Sequence, residues 1–201
     1  MVASIVVSCK GGLAETDATM KDKPLQRVFD MFAVQTKNGE VSMRMEARIM
    51  EHYENDTLST DLFPDGLSVF SYTPEGLLES VIISDEAKHV TPKDKKNPEI
   101  WSAFGNVVIH NLIRQQTMET DTIYWDQKKK EIYTDCYVKM YSPDGFMQGF
   151  GMRSDDRAGN AILHNPFNGY SVVVKDTTVV VIDSVNFIGP FPKKTLNSHP
   201  Q

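Results

Sequence analysis

Five histidines, His52, His89, His110, His164 and His199, are the first candidates for metal or acid–base chemistry. None falls at a zinc-ligand spacing such as HExxH, and neither cysteine supplies a paired thiolate beside them. No metal and no cofactor is expected, and His110 and His164 read as strand residues at a sheet surface. Nucleophile and phosphate motifs are missing too: there is no GxSxG elbow, no GxxxxGK[ST] loop and no GxGxxG after a strand. Gly149-Phe-Gly151 lies in an alternating segment, where a backbone bend or close approach accounts for it. Asp121, Asp126, Asp135, Asp144, Asp155 and Asp156 invite a two-carboxylate glycosidase reading. Turn chemistry places aspartates at strand ends without any catalysis, and that is the reading adopted. Lys128-Lys-Lys130, and Lys93 with Lys95 and Lys96, suit anionic headgroups or, more simply, solvated hairpin tips that discourage edge pairing. Cys136 alternates with apolar neighbours and reads as a small buried side chain. These residues do not make an enzyme.

Composition narrows the classes further. The 201 residues carry 27 acidic against 21 basic side chains, a net charge of −6, where a nucleic-acid binder needs a basic excess. With 40% hydrophobic and 24% charged residues the chain is globular rather than disordered. No apolar run of about 18 residues exists, so no helical span is written in it.

The elements that must position any site have period two. Across 41–49 the odd residues Val41, Met43, Met45, Ala47 and Ile49 are apolar and the even ones polar, a long strand with one buried face. Further strands are expected at 67–72, 81–90, 101–112, 116–125, 131–141, 146–153, 161–164 and 170–182. Turns are expected at 64–66, 92–98, 126–130, 142–145, 155–160 and 165–169. No helix start or stop signals are evident. A weak internal repeat sets Ser84–His89 against Thr120–Trp125 and Gly105–Ile109 against Cys136–Met140. A strand–turn–strand unit of this kind must stack on its neighbours to bury its apolar face. Residues 25–190 thus form one all-β domain, preceded by a segment at 1–24 and followed by a polar tail at 191–201.

The start, Met1 to Cys9, ends in Ile5-Val-Val-Ser-Cys9, which resembles the tail of a lipoprotein signal cut before a lipidated cysteine. The basic start of such a signal is absent, so residues 1–24 read as a truncated lipoprotein-like anchor and linker, or as a frayed terminus with an incidental cysteine.

An ordered series carries the most specific signal: Trp101-Ser-Ala-Phe-Gly-Asn-Val-Val-Ile109, Met118-Glu-Thr-Asp-Thr-Ile-Tyr-Trp-Asp126, Lys130-Glu-Ile-Tyr-Thr-Asp135 and Gly149-Phe-Gly-Met152. In order and spacing it resembles the LptC family of lipopolysaccharide-export proteins in its Bacteroidetes-type form, within the LptA/OstA-like superfamily. The resemblance covers residues 78–165 and runs more faintly back to residue 26. Met152 departs from it, standing where the family commonly has Phe.

That resemblance implies an open, twisted OstA-like β-jellyroll of stacked long antiparallel strands. It implies a periplasmic protein tethered to the inner membrane, by lipid at Cys9 or by a missing N-terminal anchor, and acting in outer-membrane biogenesis. It also implies receipt of lipopolysaccharide from an inner-membrane ABC transporter and transfer to an LptA-like protein by edge-strand addition. An apolar trough would hold acyl chains, each buried methylene contributing about 0.8 kcal/mol. The interior face expected to line it comprises Val41, Met43, Met45, Ala47, Ile49, Val107, Ile109, Val138, Met140, Phe150 and Met152. Methionines, Met118 and Met147 among them, suit irregular chains, or equally fill a dry core. Docking edges are expected at 26–35 and at 172–182, where Val172, Val173, Val174, Val179, Val180 and Val181 have the β-branched character that pairing favours. A periplasmic scaffold that carries no lipid, an LptA-like bridge subunit and a carbohydrate-active enzyme are the alternative readings.

Overall fold

The computed structural model describes residues 23–94, 96–175, 178–183 and 194–195, with side chains up to Ser171. Cys9 lies outside the described residues, as do the side chains of the six valines from Val172 to Val181. Thirteen strands follow one another: β1 (Gln26–Lys37), β2 (Glu40–Glu54), β3 (Leu58–Phe63), β4 (Leu67–Tyr72), β5 (Leu78–Ser84), β6 (Glu86–Pro92), β7 (Ile100–Asn111), β8 (Gln116–Asp126), β9 (Glu131–Ser142), β10 (Gly145–Asp155), β11 (Ile162–Lys175), β12 (Thr178–Asp183) and β13 (Lys194–Thr195). All pairings are antiparallel, and there is no helix among the described residues.

Among the described residues the thirteen segments amount to eleven strands. Leu67 pairs with Ser84 and Phe63 with Ala87, so β3 runs on into β4 and β5 into β6 along a single line. The described residues then form an up-and-down meander from β1 to β13, a β-jellyroll-like fold. Among the described residues β1 pairs with β2 alone, and the register never joins it to the far end, so the sheet stays open.

What turns this sheet into two facing arms is a crease running from β1 to β10. It is marked by Asp30 (φ 49°), the Pro64-Asp65-Gly66 turn, Asp85, Gly105 and Asn106 (φ 69° and 43°), and Gly151 (φ 82°). Register slips at the same level between Phe104 and Val107, between Thr120 and Tyr124, and between Phe150 and Met152. Bulges of this kind bend a strand and increase its twist. Gly105 is needed at its position, since a Cβ there would stand 2.9 Å from the Asp85 carboxylate, which accepts a 2.6 Å bond from Asn106 Nδ2.

The crease also changes which residues face inward. In β10, buried Gly149 faces inward opposite Val138, but beyond Gly151 the inward residues are Met152 and Ser154. In β2, Met45 and Ala47 pair with Val69 of β4 and Met31 of β1, whereas past Ala47 it is Met50 and His52 that turn inward. Two apolar groups result. One joins Val107, Ile109, Met118, Ile123, Ile132, Val138 and Met152 on β7–β10. The other joins Ala47, Phe63, Leu67 and Ala87 on the N-terminal strands, with Trp101 packed against it.

Two expectations need correction here. Asn165-Pro-Phe-Asn-Gly169 is not a turn, because β11 runs straight through it with Pro166 opposite Gly149 and a slip beside Asn168 (φ 47°). Gly149 makes this possible: a Cβ on it would meet the Asn165 carbonyl oxygen at 2.5 Å. Asp121 and Asp135 likewise lie inside β8 and β9, whereas Asp126 does cap its hairpin.

Candidate functional site

An apolar slot opens between the two arms of the creased sheet. Its walls are Met43 and Met45 of β2, Leu67 and Val69 of β4, Ile82 of β5, Ala87 of β6, Trp101 and Ala103 of β7, Ile123 and Trp125 of β8, and Ile132 of β9, interrupted by Ser71, Ser84, Ser102 and Asp156. Little of the slot is wide: the centre of a water-sized sphere has only about 40 Å³ to move in, so this is a narrow cleft and not a chamber. Cleft dimensions and a mostly apolar wall suit an extended hydrocarbon chain.

The strands position this wall by cross-strand pairing. Met45 sits opposite Val69, Val69 opposite Ile82, and Ile82 opposite Ile109, so one row runs across β2, β4, β5 and β7. A second row reads His52, Asp61, His89, Trp101, Trp125 and Ile132 across β2, β3, β6, β7, β8 and β9. Half of this row is a polar chain and half is slot wall. His52 Nδ1 lies 2.7 Å from Asp61 Oδ1, His89 Nδ1 3.2 Å from Asp61 Oδ2, and His89 Nε2 2.7 Å from Glu99 Oε1. Burial by itself pushes the Asp61 carboxyl up, but hydrogen bonds and charge from His89 and His52 outweigh it and hold the group below the ordinary carboxylate range. The His89 ring stacks on Trp101 at 4.1 Å and 13°, which braces the indole from the side of the polar chain.

The same cluster holds the nearest approach to catalytic geometry. Thr91 Oγ1 lies 3.4 Å from His89 Nε2, giving the order hydroxyl, imidazole, carboxylate with Asp61 behind. Glu99 engages His89 Nε2 and accepts a 3.3 Å bond from Thr91, so the imidazole is not free to act as base on that hydroxyl. No group of three or more metal-ligating side chains with suitable geometry occurs among the described residues.

The residues expected on the interior face divide into three sets. Met43 and Met45 line the slot. Val107, Ile109 and Val138 are fully buried, Met152 is 1% exposed and Ala47 9%, and half-buried Met140 packs against the first four. Those four fill space against one another and leave no room for a guest. Val41, Ile49 and Phe150 stand elsewhere. Val41 is 41% exposed and borders a shallow outer depression with Phe32, Val34 and Arg44. Ile49 follows the change of face in β2 and pairs with Phe29, which is 63% exposed. Phe150 pairs with Tyr137 on the outer face and stacks on Phe167 at 5.7 Å, because Gly151 shifts the alternation one residue later. Simple alternation missed these bulges; the glycines and Asp85 were the available signal.

The expected docking edges are also resolved in backbone terms. The 26–35 stretch is β1, an edge strand among the described residues. The two valine runs pair with each other, Val172 with Val181, Val173 with Val180 and Val174 with Val179, so the stretch expected as an edge at 172–182 is a hairpin. Trp101, Trp125, Val69 and Ile82 were not singled out as lining residues by sequence, though Trp101 and Trp125 open and close the segments that carry the resemblance. No helix among the described residues is long and apolar enough to cross a membrane.

Comparison with known proteins returns one family. Residues 104–171, from the bend of β7 to Ser171 of β11, match the family model described as LptC, lipopolysaccharide-assembly, LptC-related. No curated protein matches the chain. The matched stretch contains the Gly105 bulge, the Trp125 wall of the slot and the Gly149–Gly151 bend, and over it the chain is similar to LptC-related proteins of lipopolysaccharide assembly.

Proposed function

We propose that the protein is a non-enzymatic lipid carrier, holding the acyl chains of lipopolysaccharide in the slot while the sugar and phosphate head stays in water. The observation that carries this reading is the slot itself: a mostly apolar cleft between two arms of an open sheet, in a chain whose residues 104–171 match the LptC family model. Binding needs no covalent step. Burial of methylenes at about 0.8 kcal/mol each accumulates quickly for a long chain, and the half-buried methionines of β2 adapt to its kinks. In this reading the protein works in the periplasm at the inner membrane, receives its cargo from an ABC transporter, and passes it to an LptA-like protein by pairing at the free ends of the sheet.

A photo-crosslinker at Met45 tests the cargo. Labelling of lipopolysaccharide there, with none from a crosslinker at the outer-face residue Phe150, is the expected result. Labelling of protein alone at Met45 overturns the carrier reading in favour of a scaffold. The edge is tested by Val173→Pro and Val180→Pro, each removing a backbone donor from the β11–β12 hairpin. Partner capture should fall, and unchanged capture by a folded variant removes this hairpin from the docking edge.

A further inference from the structure

Two buried hydrogen-bond donors stand without a partner in the slot wall. The indole nitrogens of Trp101 and Trp125 are shielded from solvent and make no hydrogen bond within the described protein, although both side chains line a cleft whose wall is mostly apolar, with Ser71, Ser84, Ser102 and Asp156 as its other polar residues. A buried donor left unpaired is costly, and native proteins leave few of them. Nothing about packing requires it here, since a phenylalanine would fill much of the same wall with no N–H to satisfy. The two residues are directly opposite across β7 and β8, with ring centroids 6.4 Å apart and planes inclined by 33°. His89 and Phe63 stack against Trp101 and fix its ring, so the donor is positioned before any ligand arrives.

We propose that these two N–H groups form a carbonyl-recognising pair, taking the ester or amide carbonyl oxygen at the head end of a fatty-acyl chain whose tail lies in the slot. The assignment rests on the lipid-carrying reading above and adds to it a point of registration. An apolar cleft alone lets a hydrocarbon slide, because burial is non-directional, whereas a pair of directed donors sets where the acyl linkage stops. The chemistry suits acyl groups in general. Alkanes lack the acceptor and gain nothing from the pair.

The chain has two tryptophans, so its indole N–H signals in a nitrogen-15 spectrum are these two and no others. The full chain is titrated with N-lauroylglucosamine as a glycolipid-like probe, with a monolauroyl glycerophospholipid and with dodecane. Both indole protons should move downfield with N-lauroylglucosamine and stay in place when dodecane binds. The same shift with the phospholipid supports a pair that reads acyl carbonyls from either source, and its absence assigns the pair to amide-linked glycolipids. Trp101→Phe and Trp125→Phe trim the slot wall for any occupant, and on top of that common effect each should weaken N-lauroylglucosamine about three- to tenfold more than it weakens dodecane. Equal shifts with dodecane, binding without indole shifts, or parallel loss of both ligands in the variants overturns the pair and leaves the carrier reading standing. Failure of all three probes to bind overturns the carrier reading and the pair together.

Discussion

Ile109→Ala separates a filled core from a lipid trough. Ile109 is fully buried in β7, directly between Ile82 of β5 and Met118 of β8. Met118 is itself fully buried, and Val107 two residues away is as well, so the truncated side chain leaves a cavity that its neighbours can only partly close. Such a change costs about 2–5 kcal/mol, a large share of the roughly 5–15 kcal/mol that holds a domain folded. At about 2–4 °C per kcal/mol for a chain of this size, the melting temperature should drop by about 4–20 °C. Met45→Ala is the informative comparison, because Met45 is half-buried and already faces open space. It should cost about 1 kcal/mol while weakening acyl binding more than Ile109→Ala does. Ile113→Ala, at a position 57% exposed in a turn, serves as the control and should stay within about 0.5 kcal/mol of the parent. Urea unfolding followed by circular dichroism measures all three. An Ile109→Ala variant as stable as the Ile113→Ala control refutes the assignment of this residue to a packed core and extends the slot along β7.

Other outcomes follow from the polar groups and the bends. Because the folded-state pKa of Asp61 is depressed, its contribution is present above the ordinary carboxylate pKa and is lost as pH falls through the lowered value. Asp61→Asn should therefore lower the urea midpoint near neutrality, with the gap to the parent closing below about pH 4; a gap independent of pH contradicts this. Asp126, 2% exposed, accepts a 2.9 Å bond from the Lys129 backbone N–H, so Asp126→Ala should cost about 1–3 kcal/mol. Asp135→Asn, whose side chain is 88% exposed, should change stability by less than about 0.5 kcal/mol, and equal losses for the two in denaturant melts would undo the distinction. Gly149→Ala forces a methyl group against the Asn165 carbonyl and should cost about 1–3 kcal/mol; faster amide exchange along the β10–β11 ladder, with the β7–β8 ladder unchanged, is the expected signature.

Period-two patterning was enough to read an all-β chain, its long strands and most of its hairpins from the sequence. Alternation is a local property: each side chain's polarity reports whether its own face is wet, and Met43, Met45 and Ala47 declare themselves without help from the rest of the chain. The Trp101-to-Met152 series was legible for the same reason, its spacing being fixed by strand length and turn chemistry. What only the tertiary structure decided lies at the crease. One extra residue in a strand reverses every face beyond it, as at Gly151, where it sends Phe150 outward and brings Met152 inward; β1 and β2 change face at Asp30 with no slip in register, which leaves Ile49 opposite exposed Phe29 and His52 opposite Asp61. Pairs formed by register rather than by nearness in sequence were invisible beforehand: Asp61 with His89 is 28 residues apart, and Trp101 faces Trp125 across a hairpin. Whether a buried apolar face becomes solid core or open slot depends on how far the two arms of the sheet stand apart, and a distance between arms is set by the fold of the whole sheet rather than by any one strand.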